Sequence, residues 1–274
     1  MKSVVCIGTS GYSYSDWVGP VYPLGTDRSR FLELYAEQFP AVELNFSYYR
    51  QPDSGLLERM AQRTPEDFGF AVKAHKSLTH IVGESWPSDA KRFLEGVKPL
   101  AERGRLIAVL LQFPFSFHYS RANRTYLAHL CDAMSEVPLA AEFRNGEWHT
   151  SRVIEALSQR KITYTLTDYP DLEGLPKVRV ETTSDVGYLR FHGRNKENWW
   201  TGDNASRYDY LYSDEEIEEW IERIRAITRK TKVLIAVFNN HWRGQAVQNA
   251  VMLKKKLEAV SDLELPDPRR PGNP

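Results

Sequence analysis

Two charged side chains at the end of an apolar run suggest where this chain could do chemistry. Residues 139–141 have the composition of a buried strand, and Glu142 and Arg144 come next, separated by one residue. Side chains two positions apart in a strand share a face, so this carboxylate and this guanidinium point the same way. A carboxylate beside cations and partly removed from water can be tuned toward neutral pH. Glu142 is therefore the first candidate for a general acid/base.

The same arrangement, an apolar run followed by polar residues, recurs along the chain. Glu43 and Asn45 end one run, Lys73 ends another, and Gln112 ends a third. The other polar residues at such ends are Asp168, Arg190, His192, Arg194, Asn239 and His241. So many ionisable groups on one rim would be costly unless they were paired, hydrated or used. We therefore expect a ligand site where these ends meet.

The spacing of the apolar runs predicts an α/β fold. The predicted strands cover residues 4–8, 41–45, 68–73, 106–111, 139–144, 162–167, 187–192 and 232–238. Most are followed by a helical pattern, which favours a single (β/α)8 TIM-type barrel over residues 1–265. The helix after strand six is irregular or missing, because residues 169–185 show no helical period. The last segment, 266–274, has four prolines and is predicted to be a disordered tail.

Short polar residues mark the starts of the predicted helices. Ser213 is followed three residues later by Glu216, which is the pattern of a capping box. The predicted N-terminal caps are Asp27 or Ser29, Ser88, Ser120 and Ser213.

Composition argues against several classes of protein. Lysine plus arginine equals aspartate plus glutamate, at 36 each, so no overall field attracts nucleic acid or acidic membranes. No apolar run is long enough for a signal peptide or a membrane span, which predicts a cytoplasmic protein without membrane contact. The two cysteines, Cys6 and Cys131, are far apart and are predicted to be buried free thiols. P-loop, GxGxxG, GxSxG and helix-turn-helix patterns are absent.

The basic residues of the rim make a small anionic ligand the leading hypothesis. Guanidinium groups suit phosphate or carboxylate, and Arg144, Arg190 and Arg194 are available together with Lys73. The amides of Asn45, Gln112 and Asn239 could hold sugar hydroxyls or a base edge. Glu43 would assist Glu142 in hydrolase or lyase chemistry, glycoside hydrolysis included. Lys73 could be a Schiff-base nucleophile, although a structural ion pair with Glu43 is favoured.

Three other interpretations stay open. The rim charges could form a structural salt-bridge network in a non-catalytic interaction protein. Aromatic residues of the loop 193–212, including Trp199, Trp200 and Tyr208, could stack bases in a nucleic-acid-binding barrel or phosphodiesterase, or could pack as a lid. No cofactor is evident. A divalent metal is compatible with the ligand types Glu43, Glu142, Asp168, His192 and His241, but no HxH or HExxH spacing supports it.

Several short motifs, taken together, resemble the YecE-like family, a domain of unknown function. They are residues 7–12, 16–17, 42–45 with Tyr49, 70–73, 112–114, 142–144 with Trp148, 190–194, and 238–241 through 249–250. The resemblance implies a TIM-type barrel, implies no reaction, and adds Tyr49 and Asn240 to the candidate ligand-binding residues. Endonuclease-like barrels are related to it only by analogy of fold. The chain departs from the family pattern at 145–146, where Asn-Gly replaces His-Pro, and at Phe46.

Overall fold

Nine parallel strands form one curled sheet in the computed structural model, which describes residues 2–260 and 262–268. The strands are β1 (Ser3–Thr9), β2 (Ala41–Leu44), β3 (Gly69–Lys73), β4 (Leu106–Phe113), β5 (Leu139–Phe143), β6 (Thr163–Asp168), β7 (Val186–Phe191), β8 (Val233–Phe238) and β9 (Leu263–Glu264). Their order is β2-β3-β4-β5-β6-β7-β8-β1-β9. The predicted α/β class is confirmed, and the eight predicted strands are present with small shifts of their ends. The short β9 was not predicted.

Among the described residues, the chain just after β1 pairs with β2 at one isolated bridge. Ser10 and Glu43 form an isolated parallel bridge, and the Gly11 amide donates to the Glu43 carbonyl oxygen at 2.8 Å. On its other side β1 pairs with β8 over six residues and with β9 over two. The described residues therefore form a nine-stranded curled sheet in which the bridge brings the first two strands together at their carboxyl ends.

Helices connect most of the strands. They are α1 (Phe31–Ala36), α2 (Phe46–Tyr49), α3 (Ser54–Gln62), α4 (Trp86–Glu102), α5 (Arg121–Ala133), α6 (Ser151–Gln159), α7 (Asn204–Arg207), α8 (Asp214–Glu218), α9 (Ile221–Thr228) and α10 (Gln245–Glu258). Residues 169–185, after β6, contain no helix, as predicted; Pro170, Pro176 and the left-handed Gly174 are incompatible with a regular one. No helix among the described residues is long and apolar enough to cross a membrane.

Two predicted helix caps are confirmed and one is wrong. Ser120 accepts the Asn123 amide at 3.1 Å, and Ser213 forms the predicted capping box with Glu216. Ser88 caps nothing, because α4 already begins at Trp86 and the Ser88 hydroxyl donates to a carbonyl within the first turn. At the remaining start it is Asp27, and not Ser29, that accepts an amide, in a short 3-10 turn before α1.

The inner face of the sheet has an apolar layer below a polar one. The apolar layer is a buried cluster of Cys6, Ala41, Ala71, Ala108, Leu110, Ala140, Tyr188, Ile235 and Val237. Two residues further along the strands, on the same face, stand Glu43, Lys73, Gln112, Glu142, Arg190 and Asn239. The strands thus fill the interior with their first halves and place polar groups at their carboxyl ends. Cys6 and Cys131 are buried free thiols, as predicted. Residues 269–274 of the predicted tail lie outside the described residues.

Candidate functional site

Arg190 of β7 is the centre of a fully buried ionic network. Its Nε and Nη2 donate to the two carboxylate oxygens of Glu43 at 2.8 and 2.7 Å. Its Nη1 donates to Oε2 of Glu142 at 2.5 Å. The register places all three residues on the inner face at the carboxyl ends of β2, β5 and β7. One guanidinium therefore neutralises much of the charge of two carboxylates that have no access to water.

Both carboxylates also accept hydrogen bonds from hydroxyl groups. Glu43 accepts from the hydroxyl groups of Ser10 and Tyr188, and Glu142 accepts from the Tyr169 hydroxyl at 2.7 Å. Both carboxylates are thus held in their ionised form by surrounding donors as well as by Arg190. Neither carboxylate lines the cavity that opens at the carboxyl ends of the strands.

The expectation that Glu142 is tuned toward neutral pH is wrong. Burial acts to raise the pKa of Glu142, but Arg190, His192 and Arg144 outweigh it and hold this pKa well below its usual range. Burial likewise acts to raise the pKa of Glu43, and Arg190 with its hydroxyl partners keeps it lowered. Two carboxylates that stay ionised at neutral pH are suited to fixing Arg190 in place, and poorly suited to donating a proton.

His192 completes the network as a neutral imidazole. Burial lowers the pKa of His192 to about 4, although Glu142 acts in the opposite direction. Its Nδ1 lies 3.1 Å from the Asn239 amide nitrogen, and its Nε2 lies 3.2 Å from Arg190 Nη1 and 3.5 Å from the Glu142 carboxylate. The ring stacks on Tyr169, with centroids 4.6 Å apart. His192 is therefore part of the support beneath the site.

A cavity of about 760 Å³ opens above this network at the carboxyl ends of the strands. Seven of the predicted site residues line it: Asn45, Tyr49, Lys73, Gln112, Arg144, Arg190 and Asn239. Among its other lining residues are Tyr14, Tyr48, His80, Tyr208 and His241. The cavity is thus bounded by cations, amides and aromatic rings, the composition that fixes a small polar ligand in a specific orientation.

The environment of Lys73, one of the cations of the cavity, was predicted wrongly. It forms no salt bridge with any residue that the structure describes, because Arg190 occupies both oxygens of Glu43. Its Nζ stands 4.6 Å from the centre of the Tyr48 ring instead. Burial, followed by the charges of Arg190 and Arg144, lowers the pKa of Lys73 to about 7. The favoured structural ion pair with Glu43 is absent.

Arg144 approaches the cavity from the end of β5. Its Nη2 donates to the Tyr208 hydroxyl at 2.9 Å, and its Nε lies 3.7 Å from the Glu142 carboxylate, which confirms that the two side chains share a face. That Nε has no hydrogen-bond partner among the described residues. Arg144 thus keeps a donor free while its charge is only partly compensated.

Five buried polar atoms of residues that line the cavity lack a hydrogen-bond partner within residues 2–260 and 262–268. They are Asn45 Oδ1, Gln112 Nε2, Arg144 Nε, Arg207 Nε and His241 Nδ1. A buried polar group without a partner costs about 1–3 kcal/mol, so native proteins keep few of them. Five such atoms around one cavity favour a ligand that would complete their hydrogen bonds.

Other predicted site residues lie away from the cavity. Asp168 and Arg194 form a fork-like ion pair, with nitrogen–oxygen distances of 3.0 and 2.8 Å, and Trp220 also donates to Asp168. Arg194 further contacts two carboxylates of α8 and the residue after it. Asn240 is buried and donates to Tyr210 and Asn249. These three residues tie loops and helices to the sheet.

The aromatic loop 193–212 packs on the protein more than it displays rings. Trp199 and Tyr208 are buried, and Trp199 lies edge-on against Tyr169 with centroids 5.3 Å apart. Trp200 is half exposed and contacts Phe115. These contacts favour the interpretation of the loop as a lid over its interpretation as a platform for stacking bases.

The metal hypothesis receives no support from the positions of the side chains. Within the described parts of the chain, no group of three or more His, Cys, Asp or Glu side chains has the arrangement needed to hold a metal ion. Of the five ligand types considered, Glu43 and Glu142 are already occupied by Arg190.

Several residues of the site were missed by sequence reasoning, and Ser10 and Tyr14 are two of them. Ser10 donates to Glu43 and also accepts from Asn45 at 2.7 Å, and Tyr14 stacks on His241 with centroids 4.5 Å apart. Ser10 could have been found, because it continues the inner face of β1 two residues after Gly8. Tyr14 stands in an irregular loop, and no periodicity in the sequence identifies its neighbours.

The fold and the site together define a class. A parallel α/β protein whose strands deliver charged residues to a cavity at their carboxyl ends has the arrangement that α/β proteins use for binding small molecules. This chain belongs to the family described as "Protein of unknown function DUF72", whose model matches residues 6–272. The resemblance seen in the sequence motifs is thereby confirmed.

Relatives of the chain are known both in sequence and in structure. It is 32% identical to UPF0759 protein YunF of Bacillus subtilis, over 93% of this chain and 95% of that protein. A crystal structure of a DUF72 family protein from Thermotoga maritima (TM1631) is 41% identical, with a TM-score of 0.87 over 93% of this chain and 99% of that one. A DUF72 family protein from Enterococcus faecalis (EF0366) is 25% identical, with a TM-score of 0.82 over 93% and 95%.

Proposed function

We propose that the cavity binds a small anionic ligand, carboxylated or phosphorylated, and that the protein is an enzyme in which Lys73 transfers a proton to or from that ligand. The observation that carries this proposal is the position of the Lys73 ammonium. It faces a cavity beside Arg144 and has no carboxylate partner in the described structure. A cation placed in this way is stabilised by an anion that enters the cavity.

The balance of charge around the cavity supports an anion. The ionised carboxylates of Glu43 and Glu142 offset the guanidinium groups of Arg190 and Arg144. Protonation of Lys73 then adds a positive charge that the two carboxylates offset only in part, because burial and the charges of Arg190 and Arg144 outweigh them and lower its pKa. A bound carboxylate or phosphate would supply the missing negative charge, and Arg144 has an Nε–H ready to bind it.

Lys73 is also suited to proton transfer. General acid/base catalysis is most efficient when the pKa of the group lies near the working pH, and the pKa of Lys73 is lowered to about 7. We therefore assign to Lys73 the role that the sequence had suggested for Glu142. Hydrolysis and elimination both use such a base, so either a hydrolase or a lyase fits this assignment. The carboxylates of Glu43 and Glu142 serve it by holding Arg190.

We also propose that the curled sheet closes as a (β/α)8 barrel. The Ser10–Glu43 bridge and the amide of Gly11 join the carboxyl ends of β1 and β2, where the site residues stand. Closure at this end would fix Glu43 relative to Arg190 on the opposite part of the sheet. A continuous β1–β2 ladder in an experimental structure would support it, and a splayed gap between these strands would contradict it.

A panel of thermal unfolding measurements tests the proposed ligand. Inorganic phosphate, sugar phosphates, short carboxylic acids and a single-stranded oligonucleotide are each added to the wild type, to Arg144→Met and to Arg103→Met. Arg103 is a matched control, because it also pairs with a glutamate but is 46% exposed on the surface. A ligand at 100 times its Kd should stabilise the native state by about 2.7 kcal/mol.

The panel separates the alternatives. Stabilisation by one class of small anion in the wild type and in Arg103→Met, and its loss in Arg144→Met, supports the proposal. Stabilisation that Arg144→Met leaves unchanged places the anion elsewhere and contradicts it. A response to the oligonucleotide alone, weakening steeply with salt, would favour the nucleic-acid alternative instead.

A further inference from the structure

We infer that the anionic ligand also has a carbonyl group, and that the Nζ of Lys73 forms an imine with it. The ligand class is then a short oxo acid. The inference rests on the proposed function, because the same cavity and the same cations are used. It goes further by naming the substrate class and a covalent step.

The first argument is that Lys73 has an amine with nothing to neutralise it. It ends β3 on the inner face, two residues after the buried Ala71, so its side chain extends from the floor of the cavity. The carboxylate that was expected to pair with it, Glu43, has both oxygens bonded to Arg190. A lysine kept for structure at this place would be expected to pair with that carboxylate. The pairing of Glu43 with Arg190 leaves the amine available to a ligand.

The second argument is reactivity. Only a neutral amine attacks a carbonyl carbon, and burial together with Arg190 and Arg144 lowers the pKa of Lys73 to about 7. About half of the amine is then neutral at pH 7, against about one in 2,500 for an exposed lysine. The Tyr48 ring, 4.6 Å from Nζ, covers one side of the amine without offering it a counter-charge.

The third argument is the place of the acid group. Arg144 extends into the same cavity from the end of β5, and only β4 separates β5 from β3. The axes of β3 and β5 are therefore about 10 Å apart, a gap that two long side chains and a short ligand can bridge. The unpartnered Nε of Arg144 and the unpartnered Nε2 of Gln112 offer donors for a carboxylate.

The covalent step balances without an oxidant or a reductant. The neutral Nζ forms a bond to the carbonyl carbon, and a proton passes from nitrogen to the former carbonyl oxygen to give a carbinolamine. The carbon–oxygen bond then breaks, the hydroxyl group leaves as water after taking a proton from solvent, and the nitrogen lone pair forms the C=N bond. The product is a protonated imine that carries one N–H. The ligand carboxylate stays on Arg144.

Borohydride trapping tests the inference. The protein is incubated with pyruvate, glyoxylate or 2-oxoglutarate, reduced, digested and mapped by mass spectrometry. We expect one adduct, on Lys73, with the mass of the ligand minus water plus two hydrogens. It should form at least about tenfold faster than on any exposed lysine, given the larger neutral fraction. The variant Lys73→Arg keeps a cation and removes the nucleophile. The matched control is Lys98→Arg, because Lys98 is a surface lysine that is 67% exposed.

The outcomes separate this inference from the proposed function. One outcome supports both proposals: an adduct forms on Lys73, and lactate, an anion without a ketone or aldehyde group, suppresses it. Binding of anions in the thermal panel with no adduct on Lys73 overturns the imine and leaves the anion site standing. Adducts spread evenly over exposed lysines, Lys98 included, also overturn the imine. An absence of both anion binding and adduct overturns the two proposals together.

Discussion

Replacement of Arg190 by methionine should reverse the sign of the protein's stability response to pH. Arg190 is the partner shared by Glu43 and Glu142, and all three side chains are buried. Methionine has a similar length and removes the charge while filling much of the space. Two carboxylates would then be left in the interior, with Arg144 near only one of them, at 3.7 Å.

The size of the effect follows from the burial of the network. Removing one partner of a buried ion pair typically costs 3–5 kcal/mol, because the remaining charge has neither water nor a counter-charge. Arg144 still compensates Glu142 in part, so we count one uncompensated carboxylate and expect about 3–5 kcal/mol at pH 7.5. For a chain of this length this corresponds to a fall in Tm of about 6–20 °C.

The pH dependence distinguishes this mechanism from a loss of packing. In the wild type the pKa of each carboxylate is lowered, so the stability that they contribute is present above their unfolded pKa and is lost only on stronger acidification. In Arg190→Met burial would raise the pKa of Glu43 above its unfolded value. The variant should then gain stability as the pH falls from 8 toward 5, by at most about 1.4 kcal/mol per pH unit for one proton.

Urea unfolding at pH 5, 6.5 and 8 measures both effects. Adding Glu43→Gln to Arg190→Met should recover part of the loss and flatten the pH dependence. The surface variant Arg103→Met is the control and should shift the midpoint far less. A loss of stability below about 1 kcal/mol for Arg190→Met, or a loss that stays constant between pH 5 and 8, would refute the reasoning.

Three further predictions follow from the same contacts. The Kd of the wild type for its anion should rise by up to about tenfold per pH unit above pH 7, as Lys73 loses its proton, and isothermal titration of Lys73→Met should show no such dependence. Asp168→Asn should cost about 2–3 kcal/mol by weakening its bonds to Arg194, measured by urea unfolding, and should leave anion affinity unchanged. Burial raises the pKa of the Cys6 and Cys131 thiols to about 12, so a thiol reagent at pH 8 should label them only after unfolding.

The positions of the site residues could be predicted from the sequence because strand geometry is local. The alternation of side chains relates each polar residue to an apolar one two positions earlier, as Glu142 to Ala140 and Lys73 to Ala71. Parallel strands then bring the carboxyl ends together, whatever the distance along the chain. Seven predicted residues line the cavity, and all of them except Tyr49, which the family resemblance added, follow from this alternation.

The partners of those residues could not be predicted in the same way. Lys73 and Arg190 are both inner-face cations, and Glu43 could have paired with either of them. The three-dimensional shape of the sheet decides in favour of Arg190, whose fork meets both oxygens of Glu43 and also reaches Glu142. The prediction for the pKa of Glu142 was wrong for this reason. The direction of the pKa shift depends on which cation comes within bonding distance of the carboxylate. The periodicity of a sequence gives no information on that distance.

The network and the catalytic hypothesis, which the sequence presented as alternatives, are parts of one arrangement. Glu43 and Glu142 bind Arg190 so fully that no carboxylate is left for Lys73. The charges of Arg190 and Arg144 then help burial to lower the pKa of Lys73, although the two carboxylates act in the opposite direction. The salt bridges therefore do more than hold the carboxyl ends of the strands together. By occupying the carboxylates, they leave an amine that is partly neutral at pH 7 facing the cavity, beside a guanidinium with a free donor.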